Sequence, residues 1–310
     1  SGSPRQILID HLSKQELLLV LDNFEHLLSA VDVLDDLLQH APDVWMLVTS
    51  RTRLNLRQAQ VLQLRGLALP PKDAQGTLTN YESIRFFLQN AHQHQPDFVL
   101  DGQAETVKAL CHLLEGMPLA IELATAQLPI ITCRQLYDQI HQNLDVLVTT
   151  LHNVPDRHRS LRAAFDHSWK LLNDEERDVF ARTAVFHDGF TLDAAQKIAG
   201  SNLPVLRKLV AKSLLKVMSG ADEQRYDLHM LLRQYAAEML DTKLQAKTDI
   251  IAKHITYYAN FLVEKDKTLL STKNRSTDFS DILEETAIEV GNIRIAWEYA
   301  VEMQDSAALE

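Results

Sequence analysis

Two short apolar runs end in groups able to do phosphate chemistry. Leu17 to Leu21 closes on Asp22-Asn23, and Val44 to Val48 runs into Thr49-Ser50-Arg51. Runs of five bulky apolar residues are too short for a helix and suit strands covered on both faces, as in parallel sheets. A carboxylate at the carboxyl end of such a strand sits at the sheet edge where open α/β folds bind phosphate ligands. Between the runs, Glu25 to His40 carries Leu27, Leu28, Val31, Leu34, Leu37 and Leu38 at the spacing of a helix with one apolar stripe. The unit reads β-α-β, and its right-handed crossover puts the acid Asp22 and the base Arg51 on one edge.

Other chemistry finds less support. His92 with His94, and His152 with His158, lack Asp or Cys at matching spacing, so they read as solvent-facing side chains and not metal ligands. Ser50 and Ser168 have no nucleophile-elbow glycines. Cys111 and Cys133 fall in predicted helices without metal-site spacing and read as buried free thiols. Asn274-Arg-Ser is a sequon without meaning in a cytoplasmic chain.

The elements that would position these groups are mostly helical. The chain has 310 residues, 46% of them hydrophobic, with 9 Gly and 9 Pro, which suits two or three folded domains and no long flexible linker. No apolar run reaches the length of a membrane span and no signal peptide is present, so the chain is read as cytoplasmic. A net charge of −11 without a long Lys/Arg cluster disfavours non-specific nucleic-acid binding. Ser1-Gly2-Ser3 reads as an expression scar.

Pro4 to His11 is predicted to be a short helix, and Val61 to Leu64 a third strand that either pairs with Val44 to Val48 or leaves an exposed edge inviting dimerisation. Pro70-Pro71 marks a boundary. Four helices follow: Tyr81 to His94, Gln103 to Leu114, Leu119 to Gln127 with Pro118 in its first turn, and one capped by Thr132. After a polar link, His152 to Ser160, come the amphipathic run from Leu161, a helix boxed by Asn173 and Glu176, helices Thr191 to Ala199 and Leu203 to Ala211, strands Leu214 to Met218 and Arg225 to Leu228 around a Ser219 to Asp222 turn, and a helix from His229. Helices followed by a small hairpin describe a winged helix. Leu244 to Glu310 is helical; Glu284, Glu285 and Glu289 read as solvated face charges.

In that order, these motifs resemble the STAND class of signal-transducing P-loop ATPases, in particular bacterial regulators of the AfsR and MalT kind, whose nucleotide domain is of the NB-ARC type. The run closed by Asp22-Asn23 resembles a Walker B motif, EGMPLAIELATAQL a G-x-P motif, and YDLHMLLRQYAAEML an MHD-type motif with Met230 in place of its aspartate and Leu228 in place of its methionine. The resemblance implies that Asp22 holds Mg²⁺, that Asn23 stands where a second acid often sits, that Arg51 reaches the terminal phosphate, that Pro118 packs on the adenine side, and that His229 touches the β-phosphate of ADP. G-x-x-x-x-G-K-[ST] occurs nowhere, so the chain is expected to be a fragment beginning after the P-loop or a degenerate relative.

The expected fold is mainly α with a small partial α/β parallel sheet at the N-terminus, then a helical domain, a winged helix and the start of an α-helical, TPR-like array. The expected boundaries are 4–70 for the partial nucleotide domain, 71–150 for the helical domain, 151–243 for the winged helix and 244–310 for the array. The implied function is a nucleotide-dependent switch of a transcription or signalling regulator, with ATP/ADP and Mg²⁺ bound in the intact parent. Without P-loop hydrogen bonds at about 1.5 to 3 kcal/mol each, this chain is expected to bind nucleotide more weakly than millimolar and to hydrolyse none. Its implied partners are its own P-loop subdomain and sensor repeats, with a homo-oligomer on activation, no membrane, and direct nucleic-acid binding disfavoured. A nucleotide-free helical scaffold for protein partners and a winged-helix DNA binder are the alternatives.

Overall fold

The computed structural model describes residues 3–74, 76–149, 158–218, 224–271, 276–304 and 308. The expected turn at Ser219 to Asp222, most of the link from His152, Asn274 of the sequon, and Ser1-Gly2 lie outside them. Two compact units are present, Ser1–Leu64 with Val210–Ser213, and Arg65–Leu209 with Leu214–Glu310.

In the first unit, helix α1 (Pro4–Leu12) is capped by Ser3 and leads to β1 (Leu17–Leu21). A 3₁₀ segment, Phe24–Ala30, precedes α2 (Val31–His40), and β2 (Val44–Val48) pairs parallel with β1, Leu17 opposite Val44 through Leu21 opposite Val48. Leu34, Leu37, Phe24, Ile9 and Val44 form the core. Three expectations are corrected here. Glu25 to His40 is not one helix, because Leu27 leaves helical geometry, and both Leu27 and Leu28 are exposed. Nor are the strands covered on both faces: Leu18, Val20, Trp45 and Leu47 all point to the open side, Trp45 being 74% exposed. Residues Val61 to Leu64 form no strand; with neither neighbour nor apolar floor, alternation alone leaves Val61, Leu62 and Leu64 in exposed coil.

The second unit begins with four helices, α3 (Glu82–His94), α4 (Ala104–Leu113), α5 (Pro118–Thr125) and α6 (Cys133–Gln142). Ile84, Phe87 and Ala91 of α3 are fully buried, as are Val107 and Leu110 of α4, Ala120 and Ile121 of α5, and Leu136 and Ile140 of α6. Cys111 and Cys133 are free and buried, and burial pushes their thiols up to about 12 and about 11.

Helices α7 (Leu161–Lys170) and α8 (Asp174–Arg182) follow, then β3 (Phe190–Thr191), which sequence periodicity could not find because it is two residues long. Helix α9 (Leu192–Ala194) runs on as a π-helical turn, Ala195–Ala199, before α10 (Leu203–Ala211). Strands β4 (Lys216–Met218) and β5 (Arg225–Asp227) complete a three-stranded antiparallel sheet in the order β3-β5-β4. The Asn173 side chain accepts from Glu176 N at 2.8 Å, and Glu176 answers from Asn173 N at 3.0 Å, a complete capping box. Asn173→Ala is therefore expected to cost about 1 kcal/mol, read as a lower urea midpoint at unchanged slope.

Helix α11 (Met230–Asp241) packs against α7 and α8, its Tyr235 edge-on to Phe165 and Trp169. Two 28-residue helices, α12 (Leu244–Ser271) and α13 (Ser276–Met303), close the chain. They run antiparallel, since Lys265 pairs with Glu285 and Tyr258 with Glu289. No helix among the described residues is long and apolar enough to cross a membrane.

Candidate functional site

At the strand ends of the first unit, backbone and side chain are stitched together. Thr49 N donates to Leu21 O at 2.9 Å, Phe24 N to Thr49 O at 3.0 Å, and Asn23 N to Thr49 Oγ1 at 3.0 Å. The Thr49 hydroxyl donates to one Asp22 carboxylate oxygen, and the Asn23 amide to the other at 3.0 Å. Asn23 turns the chain in the left-handed region (φ +56°), which an Asn tolerates better than most residues. The exposed Asp22 carboxylate is thus held at the strand end by two neutral donors, with lone pairs left for water or a cation. Arg51 meets a residue that sequence reading passed over: its Nε lies 3.8 Å from Glu25, whose carboxylate is buried, and its backbone N–H donates to the same group at 3.3 Å.

Pro118 and His229 belong to the second unit, and the structure joins them through one turn. After α4 the chain reverses on two successive left-handed residues, Glu115 (φ +46°) and Gly116 (φ +67°), before Pro118 opens α5. Gly116 O accepts from Leu67 N at 2.8 Å, an approach so close that a Cβ on Gly116 would overlap the Leu67 carbonyl. His229 caps α11: its Nδ1 accepts from Leu231 N at 3.1 Å, so the proton resides on Nε2, which donates to Leu114 O at 3.3 Å. Glu115 accepts from Met230 N at 3.3 Å and from Lys216 Nζ at 3.2 Å. Lys216 also reaches Asp227 at 3.1 Å, and Asp227 accepts from Arg233 at 2.9 Å. A ladder of alternating charge therefore ties the wing and the start of α11 to the turn before Pro118.

Burial lowers the His229 pKa against the pull of Glu115, so the ring is neutral at pH 7, as its cap bond requires. For Glu115 burial acts upward, but His229, Lys216 and the Met230 N–H together hold its carboxyl below the usual carboxylate range. With His229 neutral, we attribute the ionised state of Glu115 to Lys216 and the Met230 N–H. Glu115 lies inside the G-x-P-like segment, yet a carboxylate beside a turn reads as solvent-facing until its partner 115 residues away is known.

Residues 172–241 match the winged helix-turn-helix domain family. A Mycobacterium bovis protein named for an HTH-type transcriptional regulator is 28% identical over 300 residues, 94% of this chain and 32% of its own length, and a similarly named Mycobacterium tuberculosis protein matches equally. A second Mycobacterium tuberculosis protein is 31% identical over 249 residues, 77% of this chain and 61% of its own. The chain thus spans about a third of the length of the first of these relatives. A solved Pyrococcus horikoshii chain, described as a Signal Transduction ATPase with Numerous Domains protein with a tetratricopeptide repeat sensor, aligns over 98% of this chain and 41% of its own, at 16% identity and a TM-score of 0.31. The helices α8 to α10 and the β4–β5 wing, held by β3, are a winged helix-turn-helix domain.

Proposed function

We propose that this chain is the switch segment of a transcription or signalling regulator, in which nucleotide decides whether the winged helix stays docked. The observation that carries the proposal is the contact of His229 and Met230 with Leu114 and Glu115, beside the Pro118 helix start. A neutral imidazole whose Nε2–H is held only by a 3.3 Å bond to a carbonyl is a donor that a phosphate oxygen could take over. In this reading Asp22 holds Mg²⁺, Arg51 leaves Glu25 to meet the terminal phosphate, Pro118 backs the adenine, and exchange of ADP for ATP shifts the population from docked to open. The names of the mycobacterial relatives support a regulator.

Calorimetric titration of ADP and ATP with Mg²⁺ tests this, against the chain and against a version extended upstream through any P-loop in its gene. The chain alone is expected to bind more weakly than about 1 mM. Binding is expected in the extended protein, with His229→Ala or Arg51→Ala each weakening it by about 10-fold. If the extended protein binds nothing, or both alanine variants bind as the parent does, the helical-scaffold reading takes its place.

A second reading, duplex DNA binding, rests on the winged-helix match and on Arg207 and Lys208, which lie exposed on α10. It predicts salt-dependent DNA retention that Arg207→Ala with Lys208→Ala abolishes.

A further inference from the structure

The wing is gripped at both ends of β5. At one end is the ladder already described, Glu115 to Lys216 to Asp227, beside His229. The other end meets the C-terminal helix pair. Arg225, at the start of β5, forms an ion pair with Glu289 of α13, and its Nη2 donates to Gly189 O at 3.2 Å. Glu289 is 8% exposed, so its reading as a solvated face charge is corrected. Its second oxygen accepts from Tyr258 OH at 3.2 Å and Asn292 Nδ2 at 2.9 Å. Asn292, fully buried, also donates to Gly189 O at 2.8 Å and accepts from His187 N at 2.7 Å. Beside it, a Cβ at Gly291 of α13 would meet the Asp188 carboxylate, the movable end of an exposed side chain.

Arg225 and Asp227 are two residues apart on a single strand, so their side chains share a face and move together. Tyr226, between them, is buried against Phe190 and anchors the strand in the sheet. We infer that the β4–β5 hairpin is a mechanical coupler: displacement of the α12–α13 pair pulls on Arg225 through Glu289 and Asn292, and strand β5 passes that movement to Asp227, Lys216 and the Glu115–His229 contact. A buried ion pair is a poor source of net stability compared with apolar packing, and its best-attested role is to fix one register between elements. Here the register it fixes is that of the C-terminal helices on the wing. The coupling needs no nucleotide, and it makes the winged helix the relay between the C-terminal helices and the turn before Pro118.

The test is amide hydrogen exchange, with NMR of the His229 ring, on the whole chain carrying Glu289→Gln, which keeps shape and removes the charge. Exchange in 250–258 is expected to rise about ten-fold, and that in 216–218, 225–227 and 230–231 with it, while 84–91 in α3 stays unchanged. The His229 ring is expected to titrate closer to its ordinary range. Asn292→Ala, which removes the bonds of α13 to Gly189 O and His187 N without altering any charge, is expected to act in the same way, and it serves as the test if Glu289→Gln does not fold. The coupler is refuted if 250–258 loosens while 230–231 and the His229 ring stay as they were, if 250–258 does not loosen at all, or if 84–91 exchanges faster by the same factor.

Discussion

Gly116→Ala is expected to lower the stability of the second unit by about 3 kcal/mol or more. A left-handed backbone costs a residue with a Cβ about 1 to 2 kcal/mol. At Gly116 (φ +67°) the new atom would also overlap the Leu67 carbonyl. Leu67 cannot retreat without breaking its 2.8 Å bond to Gly116 O, which adds roughly 1 kcal/mol. Gly102 offers the control, since it is also left-handed (φ +79°) but has nothing within 4 Å of the place a methyl would occupy. Gly102→Ala should therefore show only the backbone cost, about 1 to 2 kcal/mol. Urea unfolding of the two variants decides the matter: equal losses would mean that the close approach to Leu67 has no energetic weight. The Gly116 variant should also loosen His229, whose acceptor, Leu114 O, is on the same turn.

Acid should destabilise the protein through His254. This ring is fully buried among Phe186, Tyr258 and Tyr299, and neither nitrogen has a hydrogen-bond partner. The Asn292 amide beside it already uses its hydrogens on Gly189 and Glu289. Burial, and after it the His187 ring, push the His254 pKa down to about 3. The sign follows from proton counting. Below the unfolded value of about 6.5 the unfolded chain takes up a proton that the folded chain refuses until about pH 3, so stability is full above pH 6.5 and falls as pH drops towards 3. By pH 5 the loss from this one ring is about 2 kcal/mol. His254→Leu should remove that share of the pH dependence and, by deleting two unpartnered polar atoms, gain about 1 kcal/mol at pH 7. His187 and His229, also lowered by burial, act in the same direction in both proteins, so the difference isolates His254. Unfolding midpoints that fall in parallel between pH 7 and pH 5 would show that the ring is not held neutral.

Local signals in the chain were strong where the physics is local. The capping boxes at Thr132 and Asn173 and the apolar stripes of α3 to α6 need only a few neighbouring residues, and all are legible in the sequence. His229 at a helix start was legible for the same reason. Its acceptor was not, because a backbone carbonyl carries no residue signature. Glu289 failed to show for a related reason: a carboxylate in a helix is solvent-facing by default, and its burial depends on Arg225 and Tyr258, far away in the chain. The one hint was Gly291-Asn292 inside a 28-residue helix, an unfavourable pair unless something lies close against it. Val61 to Leu64 misled in the opposite sense, since alternation without a neighbouring strand specifies nothing. Leu27 and Leu28 fit a helical period, yet the chain leaves Asn23 in a left-handed turn and tightens into a 3₁₀ segment that rotates both outward.

The grip of α13 on the wing also sets an order of events during synthesis. Arg225 emerges 64 residues before Glu289, and the His187 amide 105 residues before Asn292. At the usual pace of roughly 5 to 20 residues per second, a ribosome takes roughly 3 to 13 s to cover the first of those intervals. Through that time the guanidinium has no carboxylate to enter the interior with, and β5 has an incomplete floor. The nascent winged helix therefore gains these partners only once α13 has been made.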